Sequence, residues 1–156
     1  MPRPARPPIE VRDSPIAGRG IFALRRLRRG MHVLEYTGER ISPAESVRRY
    51  DDERDESAHV LLFTVDRRTV IDGGVDGSDA RFFNHSCEPN CEALNLEGRI
   101  FICTLRTIQP GEELCYDYRL SRTGPRTKEV EARYPCRCGA PGCRGTLLAP
   151  RRTRRG

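Results

Sequence analysis

The sequence contains no tryptophan, and several of its ten other aromatics, five Tyr and five Phe, fall inside a few short segments. No apolar run approaches the roughly 18 residues that a membrane-spanning helix needs. The opening stretch MPRPARPPIEVRDSP has no apolar h-region, which excludes a secretory signal there. The expected compartment is therefore the reducing cytoplasm, or a host nucleus if the protein is exported. Seven cysteines is an odd number, and in a reducing setting thiolate ligands, free thiols or small buried hydrophobes are expected before a disulfide framework. There is no internal repeat, and 156 residues suit one domain large enough to bury a real core.

The net charge of +6 suggests a nucleic-acid binder until it is located. From Arg144 onward there are five Arg and no acid, and subtracting those five leaves a body of about +1. The excess belongs to the tail PRRTRRG, and a body-wide phosphate-binding face is not indicated. Weak nucleic-acid contact is expected of that tail at most.

Residues 1–8 are rich in Pro and Arg, and residues up to 11 read as an extended or disordered arm. In SPIAGRGIFAL, Gly18 and Gly20 permit a tight turn and close backbone approach by a ligand, without the third Gly of a dinucleotide fold. MHVLEYTGERI (31–41) reads as a strand ending in a turn at Gly38, and Ser42-Pro43-Ala44-Glu45 as a helix start running to about Tyr50. DDERDES (51–57) reads as an exposed charged loop, and 59–65 and 69–72 as strands. Ser78 or Asp79 caps a short helix, and a hairpin turns at Glu97-Gly98. The segment 108–118 is a turn followed by a strand, and 121–134 a charged linker with one helical turn. This is a mainly β pattern of short strands with few short helices.

The densest chemistry is RFFNHSCEPNC (81–91). Pro89 restricts Glu88, so a helix running up from Asp79 is expected to break near His85 to Glu88 and present Asn84, His85 and Cys87 on a rigid loop. CRCGAPGC offers Cys136, Cys138 and Cys143 with a spacing that suits thiolates around one tetrahedral metal. The fourth ligand is open among Cys87, Cys91, Cys103, Cys115 and a His. In Tyr116-Asp117-Tyr118 the two phenols share a face by the period of two.

Taken together, GRGIF, EYTGE, RFFNHSCEPNC, GEELCYDY and CRCGAPGC, in that order, resemble a SET-domain protein-lysine methyltransferase with a post-SET zinc segment, of the small bacterial type. The resemblance covers residues 12–149. It implies a β-clip fold of short curved sheets with a knot-like C-terminal crossing, and divides the chain into an arm (1–11), SET domain (12–120), linker (121–134), post-SET segment (135–149) and basic tail (150–156). It implies S-adenosylmethionine held by Ala17, Gly18, Arg19, Gly20, Tyr36, Arg81, Asn84, His85 and Arg137. It also implies structural Zn2+ on Cys87, Cys136, Cys138 and Cys143, with Cys91, Cys103 and Cys115 left as free thiols or core residues.

Under that resemblance Tyr118 is the catalytic Tyr and Tyr116 stands at the position that sets methylation state, a Tyr there implying mainly mono- or dimethylation. The amine of free lysine has a pKa of roughly 10.4. An apolar channel and an adjacent sulfonium lower it, so no dedicated base is required. Arg119 departs from the Gly common after the YDY sequence, at the mouth of the substrate channel. The implied partner is a lysine-bearing protein: histone-like, ribosomal or from a host. The competing reading is an inactive, zinc-stabilised SET-like module that binds nucleic acid or chromatin-like partners through its Arg tail.

Overall fold

A computed structural model describes residues 5–50, 61–120 and 125–151. Strand β1 (Ile9–Asp13) pairs antiparallel with β2 (Arg19–Ala23), placing Val11 opposite Ile21. Residues 9–11 of the expected loose arm are thus held in the sheet, since extended backbone beside β2 satisfies its N–H and C=O groups. The connection closes when the Ser14 N–H donates to the Gly18 carbonyl at 2.8 Å, and Gly18 adopts φ +46°. That conformation is costly with a side chain.

In the stretch 31–41 the strand expected to end in a turn at Gly38 is β3 (His32–Tyr36), and past that turn a second strand follows, β4 (Glu39–Ile41). The two join different sheets. β3 pairs with β9 (Arg99–Thr104), whereas β4 pairs with β6 (Val70–Asp72), which in turn pairs with β5 (Leu62–Thr64). Helix α1 (Pro43–Arg49) starts as its sequence dictates, with the Glu45 N–H donating to Ser42 Oγ at 3.1 Å. It is fastened to the small sheet by Asp72, which is fully buried. The Tyr50 phenol donates to both its carboxylate oxygens at 2.9 and 3.0 Å, and Arg49 approaches at 3.2 Å. The expected charged loop at 51–57, and the start of the strand expected from 59, lie outside the described residues.

Ser78 caps a 3-10 helix over Asp79–Phe82, its Oγ accepting from the Ala80 N–H. This helix ends earlier than Pro89 alone would require. Phe83 is already extended, and Asn84–His85 form strand β7, paired in parallel with β10 (Glu113–Tyr116). Sheet pairing ends the helix before proline can. The hairpin of β8 (Cys91–Leu96) and β9 turns at Glu97 and Gly98, both at positive φ as a two-residue hairpin turn requires.

The last strand in sequence lies inside the main sheet. β10 runs antiparallel to β2 on one side and parallel to β7 and β8 on the other, in the order β1–β2–β10–β8–β9–β3. The core beneath is aliphatic and aromatic: Ile21, Leu27, Val33, Tyr36, Ile71, Phe83, Ile100, Ile102, Leu114 and Tyr116. Helix α2 (Lys128–Ala132) is the expected helical turn of the linker, capped by Thr127. Beyond it the chain folds back, bridging Leu120 to Leu148 and Pro135 to Thr146. The result is mainly β, in short curled sheets with two short helices. No helix among the described residues is long and apolar enough to cross a membrane.

Candidate active site and metal centre

Pairing of β7 with β10 brings the Asn-His segment against the tyrosines. Asn84 turns its amide nitrogen toward the 17–19 turn, donating to the carbonyls of Ala17 at 3.0 Å and Arg19 at 3.2 Å and to Glu113 Oε1 at 2.9 Å. Gly20 is required by the same junction. A Cβ there would sit 2.0 Å from Glu113 Oε1 and 3.1 Å from the Asn84 nitrogen. The close approach that Gly20 permits is therefore to its own chain.

His85 is buried, and its Nδ1 accepts from the Tyr118 N–H at 3.0 Å. Nε2 consequently carries the proton and faces Cys87 Sγ at 3.4 Å. Burial holds this imidazole down at about 4, against the opposing pull of the Asp117 carboxylate 3.6 Å away, so it is neutral at physiological pH. The Tyr118 hydroxyl donates in a short bond to the Phe83 carbonyl. The Tyr116 and Tyr118 rings lie 5.0 Å apart, although β10 ends at Tyr116, and the edge of Tyr116 meets Phe83 at 6.2 Å. Burial pushes both phenols well above the ordinary tyrosine range.

Two cavities meet at Tyr118. One, of about 480 Å³, is lined by Ala17, Gly18, Asn84, His85 and Tyr118, and closed by the C-terminal segment through Tyr134, Cys136 and Arg137. The other, of about 560 Å³, runs past Phe63, Cys91, Glu92, Leu105, Tyr116, Tyr118 and Arg119. Of the nine residues expected at the cofactor, five line the first cavity: Ala17, Gly18, Asn84, His85 and Arg137. Arg19 and Gly20 belong to the adjoining turn and β2. Tyr36 and Arg81 stand apart from this lining. Tyr36 is in the core with its hydroxyl on the Leu61 carbonyl at 2.7 Å, and Arg81 lies over the Phe82 ring at 4.8 Å.

The sulfurs of Cys87, Cys136, Cys138 and Cys143 all lie within 4.8 Å of one another, and Cys87 and Cys136 are 3.7 Å apart. Tetrahedral zinc–thiolate bonds of about 2.3 Å place sulfurs roughly 3.8 Å apart, so the set fits such an ion. Main-chain N–H groups of Arg144 and Gly145 donate to Cys87 and Cys143 at 3.3 and 3.4 Å, as they would to thiolates. Burial opposes ionising the thiols of Cys87 and Cys136. At Cys138, N–H groups and neighbouring thiols outweigh it and bring the value down to about 6. Cys91, Cys103 and Cys115 are buried away from this cluster.

A family model for the SET domain matches residues 18–119. The chain belongs to the SET-domain family. It is 41% identical over 145 residues, 90% of its length, to the "Histone-lysine N-methyltransferase, H3 lysine-4 specific" of Saccharomyces cerevisiae, and 39% identical over 145 residues to the protein of that name from Eremothecium gossypii. It is 38% identical over 134 residues to "Histone-lysine N-methyltransferase ash1" of Drosophila melanogaster. The chain spans 13%, 14% and 6% of the lengths of these relatives.

Three residues that organise this SET domain escaped sequence reasoning. Glu113 joins Asn84 to the Ser14 hydroxyl, 2.7 Å from its carboxylate. Asn90 joins the central loop to β10, donating to the Glu113 carbonyl at 2.8 Å and accepting from the Cys115 N–H at 2.9 Å. Asp117 accepts a two-pronged pair from Arg144, at 2.9 Å on each oxygen, and also the Arg119 N–H at 3.0 Å. Each stands inside a conspicuous segment, and its only signal was a carboxylate or amide beside residues of evident chemistry. Arg119 itself adopts φ +46°, the conformation a Gly in its place would take without strain.

Proposed function

We propose that this SET domain transfers a methyl group from S-adenosylmethionine to the side-chain amine of a protein lysine, mainly to the mono- or dimethyl product. The observation that carries this reading is Tyr118, a half-buried, neutral phenol in the wall shared by two cavities. Methyl transfer is an in-line displacement. It needs donor and acceptor brought together at one point without water between them.

The first cavity suits the cofactor in size, since small-molecule sites span about 300–1,000 Å³. When bound, S-adenosylmethionine supplies an electrophilic methyl group on a sulfonium. The chain's own part is positioning. Asn84 holds the Ala17 and Arg19 carbonyls, which fixes the 17–20 backbone at the cavity wall. Tyr118 spends its proton on the Phe83 carbonyl and keeps its oxygen lone pairs for the amine or methyl hydrogens. The surroundings of Tyr116, Phe83 and Phe63 disfavour an ammonium, so the neutral, nucleophilic amine is the form that enters. The Tyr116 hydroxyl beside it takes up room that further methyl groups would need.

Zinc on Cys87, Cys136, Cys138 and Cys143 would fasten the segment that carries Cys136 and Arg137 against the Asn-His loop, completing the cavity wall. The names of the relatives make histone-like proteins the first substrates to try. The inactive-module alternative relied on a free Arg tail. However, Arg144 is committed to Asp117 and Arg151 to Glu131 at 3.0 Å, while 152–156 lie outside the described residues.

The test is mass spectrometry of core histones incubated with cofactor and enzyme. Wild type is expected to give mono- and dimethyl-lysine. Tyr118→Phe should lose roughly 10²-fold in rate, and Tyr116→Phe should shift product toward trimethyl-lysine. Trimethyl-lysine as the main wild-type product would contradict the assigned state, and full activity in Tyr118→Phe would contradict the assigned role.

A further inference from the structure

The near-neutral body conceals a local excess of charge. The turn after β2 reads Leu24-Arg25-Arg26-Leu27-Arg28-Arg29-Gly30, four guanidinium groups in five residues with no acid among them. All four Arg are exposed, and among the described residues none has a hydrogen-bonded or ion-paired side-chain partner. Other arginines of the chain are spent internally, such as Arg49 on Glu39, Arg99 on Glu35, Arg106 on Glu112 and Arg144 on Asp117.

The turn is held in place by its middle. Leu27 is buried and exchanges both main-chain hydrogen bonds with Ile108, at 2.8 and 3.0 Å. Thr104 Oγ1 donates to the Arg28 carbonyl at 2.5 Å, and the Gly30 N–H donates to the Thr104 carbonyl at 2.9 Å. The buried leucine thus divides the charge into two pairs on a fixed backbone. Ordering that turn costs nothing further when a ligand arrives.

We propose that the Arg25–Arg29 turn docks the phosphate backbone of duplex DNA. None of its arginines lines either cavity that meets at Tyr118, so a small phosphate compound finds no cradle there. The turn carries no aromatic on which the unpaired bases of a single strand would stack. Uncommitted guanidiniums on a fixed backbone fit an extended polyanion whose charges recur along a line. The turn also adjoins the second cavity: Thr104, which binds it, precedes Leu105 in that cavity's wall. A protein substrate carried on DNA would be brought to Tyr118 by this contact. That purpose rests on the proposed methyl transfer, but the binding does not.

The test measures binding of the purified chain to a 30-base-pair duplex across salt concentrations without cofactor, with S-adenosylmethionine binding followed separately. Four phosphate contacts predict a fall of roughly 10²-fold in affinity between 50 and 200 mM salt. Replacing Arg25, Arg26, Arg28 and Arg29 with Ala should remove most of that slope while leaving the melting temperature and cofactor affinity unchanged. Replacing Arg152, Arg154 and Arg155 should leave most of it intact. Undiminished DNA binding by the turn variant would overturn the proposal, as would loss of binding in the tail variant alone. Preference of the wild type for poly-glutamate over DNA at equal salt would overturn it too, in favour of an acidic protein partner.

Discussion

Tyr118 is held from three directions: its N–H by His85, its hydroxyl by the Phe83 carbonyl and its ring by Tyr116. A phenol so enclosed stays neutral, because burial raises its pKa above the ordinary value of about 10. The sign for activity follows. Raising the pH deprotonates the substrate amine and leaves Tyr118 untouched, so the single-turnover rate should climb from pH 7 to 10 with no falling limb. A falling limb near pH 10 that disappears in Tyr118→Phe would contradict this. The residues that the fold gathers here by chemical type, Asn84, His85 and the two tyrosines, were legible in the sequence because such polar and aromatic groups are seldom crowded together without a task. Glu113, Asn90 and Asp117 were not, since their partners lie far away in sequence: the Ser14 hydroxyl for Glu113, the Cys115 main chain for Asn90 and the Arg144 guanidinium for Asp117.

At the scale of elements, the central device is β10 between β2 and the 84–91 segment, with the cysteine-rich end folded over it. Local rules located α1, the hairpin at Glu97-Gly98 and the turn at Gly18, because caps and positive-φ positions act within a few residues. The same rules misjudged the end of the 3-10 helix and left β4 beyond Gly38 unread, where pairing with a distant strand decided the outcome. The cysteine spacing picked out three members of the sulfur cluster on its own, and the fourth came only from resemblance. Cys87 lies 49 residues from Cys136 in sequence but 3.7 Å away in space. If zinc staples the two, chelation should lower the melting temperature by about 5–10 °C, which corresponds to a few kcal/mol for a domain of this size. Adding zinc back should restore it. A melting curve indifferent to chelator, in protein shown to have lost its metal, would remove the staple from the account.

Across the whole molecule, net charge proved a poor guide to where charge is available. The average of about +1 for the body combines arginines locked in ion pairs with four that are free on one turn. Lys128 is the only lysine among the 28 Lys and Arg residues, so apart from it the basic side chains are arginines, which lysine methylation does not modify. Such a surface can sit beside the cavity past Tyr116 and Tyr118 without competing for it.

The account stands or falls on the cavity bounded by Ala17, Gly18, Asn84, His85, Tyr118 and Arg137. Calorimetric titration of S-adenosylmethionine into zinc-loaded protein tests it most directly. One cofactor bound per chain, with affinity at least tenfold weaker after Asn84→Ala, is the predicted result. Zinc-replete, folded protein that takes up no cofactor would contradict it.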